Sequence, residues 1–119
     1  MSKRAPKLYS EDILTAIEDI ANFTQGMTFE SFENDKKTVQ AVVRSLEIIG
    51  EAANYIPQEI KEKYPDIPWR EMISLRNKVL HEYFGVDEEV LWQTITEDLL
   101  PLKDKIKNLH EALYAAESN

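Results

Sequence analysis

Asn34-Asp35-Lys36-Lys37-Thr38-Val39-Gln40-Ala41-Val42-Val43-Arg44-Ser45-Leu46-Glu47-Ile48-Ile49-Gly50-Glu51-Ala52-Ala53-Asn54-Tyr55-Ile56-Pro57 decides the fold. Val39, Val42, Val43, Leu46, Ile49, Ala53 and Ile56 recur every three or four residues, the spacing of one buried helix face. Asn34 or Asp35 is placed to start this helix, and Pro57 to break it. Gly50 lies inside the pattern. A mid-helix glycine costs about 1 kcal/mol relative to alanine, so its place here implies a close helix–helix contact. Glu51 follows it, one step off the stripe.

The same period runs outward in both directions. Upstream, Ser10 reads as an N-cap with Glu11 and Asp12 in the first turn. Ile13, Leu14, Ile17, Ile20 and Ala21 then mark an amphipathic helix over about 10–25, closed by Gly26. Residues 1–8 read as a flexible basic tail, and 9–116 as a single helical domain. Phe29 and Phe32 are expected to plug the end of a bundle. Downstream, 58–63 reads as a short charged helix. Pro68-Trp69 opens a third long helix carrying Met72, Ile73, Leu75, Val79 and Leu80. Asp87, followed by Glu88 and Glu89, caps a last helix through Leu91, Leu99, Leu102, Ile106 and Leu109. Pro101 interrupts that helix, so a kink or break is expected near Asp98. No run alternates convincingly as a strand would. The expectation is an all-α bundle of four to five helices, running up and down, with the last one kinked or broken near Pro101.

Composition narrows the function. The chain has 119 residues, 14 basic and 22 acidic, for a net charge of −8. Such a surface suits general nucleic-acid binding poorly, because phosphate contacts need cations. There is no cysteine, which excludes disulfides and thiolate metal sites. No stretch is apolar enough to span a membrane, and no secretory core follows the basic N-terminus. This predicts a soluble, cytoplasmic protein.

One stretch carries candidate chemistry: Ser74-Leu75-Arg76-Asn77-Lys78-Val79-Leu80-His81-Glu82-Tyr83-Phe84-Gly85. Asn77 and His81 are four apart and share a helix face. Arg76 and Tyr83 are about two turns apart, and the long Arg76 side chain reaches toward His81. A histidine exchanges protons near neutral pH, and an arginine matches phosphate oxygens. Together they suit metal-free RNA cleavage. A base takes the ribose 2′-hydroxyl proton, the oxygen attacks the adjacent phosphate, and a cation stabilises the phosphorane. By spacing alone, a structural or surface role fits the pair better than chemistry. His81 and His110 are too far apart for a metal site, and there is no phosphate-binding glycine loop.

Arg76 to Tyr83 nevertheless matches an R-x4-H-x-Y pattern, and here the chain resembles the HepT-like toxins of the HEPN superfamily. Ile48 to Ala53, Pro68 to Ile73 and Glu97 to Leu102 resemble further stretches of that family, so the likeness spans about residues 9–113. The resemblance implies a homodimer whose two motifs face each other across a cleft, and a metal-independent endoribonuclease toxin of a type VII toxin–antitoxin pair, without a cofactor. It implies Arg76 and His81 as the catalytic pair, Asn77 as a polar helper, and tRNA or mRNA as substrate. It also implies a minimal nucleotidyltransferase (MNT) antitoxin that adenylylates Tyr83, adding charge and bulk where the RNA phosphate must sit. The alternative is a non-catalytic nucleotide-binding module or accessory helical subunit of such a nucleotidyltransferase.

Overall fold

A computed structural model describes residues 4–80 and 87–117, with backbone alone for 76–80 and 117. The elements are α1 (Pro6–Thr24), α2 (Phe29–Glu33), α3 (Lys36–Tyr55), α4 (Gln58–Lys63), α5 (Trp69–Leu80), α6 (Glu88–Gln93), a π turn (Thr94–Asp98) and α7 (Leu99–Glu117). No strand occurs among the described residues, so the all-α expectation holds. α3 lies at the centre, packed against α1 on one side and α5 on the other, while α7 lies against α1.

The stripe on α3 is the core. Val42, Leu46, Ile49 and Ala53 are fully buried, beside Ile13 and Ile20 of α1 and Ile106 and Leu109 of α7. Asp35 caps α3, its carboxylate accepting the Thr38 N–H at 3.1 Å. Gly50 is buried on the same helix. Phe32 is also fully buried, its ring 5.2 Å from that of Trp92 in α6, so α2 closes that end of the bundle. Gly26 follows α1 with φ +77°, a left-handed conformation that costs glycine little.

Three expectations need correction. α1 starts at Pro6 with Ala5 as its cap, not at Ser10. Proline at the first helical position is pre-set for the helix and has no N–H to lose. Residues 6–8, expected in the flexible tail, are therefore helical; residues 1–3 lie outside the described residues. Ser10 is a buried interior residue whose Oγ donates to the Lys7 carbonyl at 2.8 Å and lies 2.6 Å from His110 Nδ1. Ala21, assigned to the buried face, is exposed, and Ala16 is buried in its stead.

The discontinuity expected near Asp98 takes the form of the π turn. The Leu99 N–H bonds back to the Thr94 carbonyl, five residues earlier. A proline in a regular helix crowds the carbonyl four residues before it, here that of Glu97. The wider turn places the change of register just ahead of Pro101.

Candidate functional site

α5 is the element that carries the motif, and local bonds hold its start. The Pro68 carbonyl accepts the Met72 N–H at 3.0 Å. The Trp69 indole N–H donates to the Tyr64 carbonyl at 3.1 Å. Lys61 lies over the Trp69 ring, with Nζ 6.0 Å from its centroid, and burial holds its pKa below the usual lysine range. Met72 is 1% exposed and fixes the inner face of the helix.

The helix continues without a break through Leu80, so Arg76 and Asn77 occupy consecutive helical positions as expected. At about 100° per residue, Arg76 is placed about 40° round from Met72, and Asn77 about 40° round from Ile73. The side chains of Arg76 and Asn77, and the whole of His81 and Tyr83, lie outside the described residues. So does Gly85. Description resumes at Asp87, whose Oδ1 accepts the Glu89 and Val90 N–H groups at 3.0 and 3.2 Å.

Two other concave features are built by tertiary packing that residue spacing does not show. Between α1 and α3 runs an open groove of about 500 Å³. Tyr9 and Tyr55 stack in it at 5.6 Å. Arg4 binds Asp12 at 2.8 Å; that hydrogen bond pushes the guanidinium pKa further up. Arg44 lies 3.8 Å from Glu47 and 3.6 Å from Glu51. Among the described residues the groove is lined by three acids, Asp12, Asp19 and Glu51, against two cations, Arg4 and Arg44, so it is no phosphate channel. Beside the π turn lies a smaller groove of about 300 Å³, floored by Met72, Leu75, Leu99 and Leu102. Among the described residues, no group of three or more His, Asp or Glu side chains is arranged to hold a metal.

A long-helix bundle whose motif helix packs on a central α3 defines a helical domain of one recognisable class. The chain belongs to the ribonuclease HepT-like family, whose model matches residues 13–109. It is 53% identical over 109 residues to a "probable ribonuclease HepT" of Thermococcus cleftensis, covering 92% of this chain and 99% of that protein. Two proteins of Methanocaldococcus jannaschii named as candidate RNases are 43% and 41% identical, over 90% and 100% of this chain and 98% of each relative. No solved structure gives a significant match.

Proposed function

We propose that this protein is a metal-independent endoribonuclease, the toxin of a type VII toxin–antitoxin pair, with Arg76 and His81 as its catalytic groups. The observation that carries the reading is the family match over residues 13–109, which spans the whole motif. Relatives named as ribonucleases over nearly their full length support it.

In this reading His81 takes the proton from a ribose 2′-hydroxyl. The freed oxygen attacks the adjacent phosphorus, the bond to the 5′-oxygen breaks to leave a 2′,3′-cyclic phosphate, and the departing 5′-oxygen takes a proton from solvent water. The Arg76 guanidinium binds the phosphoryl oxygens as negative charge builds on them. Asn77 holds the imidazole or the phosphate. Two chains pair so that their motifs line one cleft, which doubles Arg76 near the axis and supplies cations that an acidic chain otherwise lacks. Adenylylation of Tyr83 by a nucleotidyltransferase antitoxin adds an anionic group beside that cleft and shuts it. No helix among the described residues is long and apolar enough to cross a membrane, and a cytoplasmic site of action is part of the proposal.

The test is cleavage of purified tRNA and mRNA with and without EDTA. Cleavage should survive the chelator and fall about 100-fold or more in Arg76→Ala and in His81→Ala. Prior adenylylation should abolish it, and Tyr83→Phe should remove that control. Nucleotide binding without any RNA turnover would favour the accessory-subunit alternative. Cleavage that needs a metal, or that survives both substitutions, would overturn the reading.

A further inference from the structure

We propose that the groove beside the π turn is a docking surface for a cationic, apolar-anchored segment of another protein. The groove is built where α5 meets the π turn and α7. Met72, Leu75, Leu99 and Leu102 form its apolar floor, and among the described residues its rim carries Glu71, Glu97 and Asp98 against a single cation, Lys105. The Lys105 ammonium donates to the Asp66 carbonyl at 3.0 Å, so it is tied to the loop before α5. None of the three rim acids makes an ion pair among the described residues.

On the far side of the π turn lies a second concavity, lined by Phe29 and Trp92 together with Asp87, Glu89 and Glu97. Glu97 belongs to both, so the π turn is an acidic ridge between the two hollows.

Charge complementarity selects the occupant. An RNA strand would bring phosphates against the three rim carboxylates. A second copy of this chain has a net charge of −8, and a two-fold axis here would set each acid near its own mate, where like charges oppose association. A basic segment with leucine-sized anchors satisfies the floor and the rim together. Leu75 lines the groove and immediately precedes Arg76, so a segment seated there touches the motif helix itself. The docking surface stands whether or not the chain cleaves RNA.

The test uses the full chain and two fluorescein-labelled amphipathic helical peptides, one of leucine and lysine, the other of leucine and glutamate. The lysine peptide should bind and the glutamate peptide should not. The triple variant Glu71→Gln, Glu97→Gln, Asp98→Asn should weaken lysine-peptide binding about tenfold or more. The control triple Glu18→Gln, Glu59→Gln, Glu111→Gln changes net charge equally at exposed positions elsewhere, and should weaken it less than about twofold. Leu75→Ser, in the groove floor, should weaken it several-fold with the charge unchanged. All variants are checked by circular dichroism. Equal losses in the two triples would reduce the effect to net charge and overturn the proposal. So would a change in sedimentation of the chain alone in the groove variant, which would put a second copy on this face.

Discussion

Ser10 shows how much a single hydroxyl can hold. Its one proton goes to the Lys7 carbonyl at 2.8 Å, so its oxygen is left to accept from His110 Nδ1–H at 2.6 Å. That fixes which ring nitrogen carries hydrogen and ties α1 to α7. Ser10→Ala leaves the histidine donor without its buried partner and should cost about 1–3 kcal/mol in urea unfolding. In a double-mutant cycle with His110→Ala the two losses should fall well short of adding. Asp35 sets a pH dependence. The Thr38 N–H holds its carboxyl below the ordinary 3.8. A depressed folded value adds stability above about pH 3.8 and loses it as pH falls through the folded value. The stability advantage of the natural chain over Asp35→Asn should therefore shrink between about pH 5 and about pH 2 in thermal melts. Asp35 was legible as a cap because its partner is three residues away. Ser10 was not, because its partner lies one hundred residues on and looks local only in the fold. Arg76 and Asn77 were legible as neighbours on one helix, since a helix needs only spacing to place its backbone.

At the scale of elements, periodicity finds every long helix, and the end it misplaces is the start of α1. The α3 stripe is buried as spaced because period 3.6 and burial are the same fact seen twice. The start of α1 was read four residues late, because a cap residue was preferred to a proline that needs none. The π turn could be anticipated only as a disturbance ahead of Pro101; the five-residue bond from Leu99 to Thr94 has no signature of its own in spacing. Asp87 and Gly26 were readable stops and starts. Asp87→Ala removes the acceptor for two N–H groups of α6 and should cost about 1 kcal/mol, or about 4 °C in melting temperature. Gly26 is different in kind: an added Cβ meets nothing within 4 Å, yet φ is +77°. Gly26→Ala should thus cost about 1–2 kcal/mol through backbone conformation alone, and Gly26→Asn less, because asparagine tolerates that region better. Equal losses for the two would point to a steric cause instead.

For the whole molecule the governing quantities are shape and charge. The radius of gyration is 14.7 Å and the extents are 48 × 29 × 23 Å, against about 13.5 Å expected for a compact chain of this length. An elongated bundle offers long flanks for pairing, and a net charge of −8 makes most of them hostile to RNA. The proposed nuclease must then hold RNA through few phosphate contacts, chiefly Arg76 from each of two chains. Counterion release links contact number to salt: for single strands the slope of log affinity against log salt is about −0.7 per phosphate contact. Two contacts give a slope of about −1.4, so RNA affinity should fall only about sevenfold between about 50 and about 200 mM salt. Arg76→Ala should flatten even that modest slope while removing cleavage. A slope several times steeper, measured by fluorescence anisotropy on the unmodified chain, would mean a broad basic face. The acidic rim beside the π turn and the acid-rich groove between α1 and α3 leave such a face no room on those two sides of the bundle.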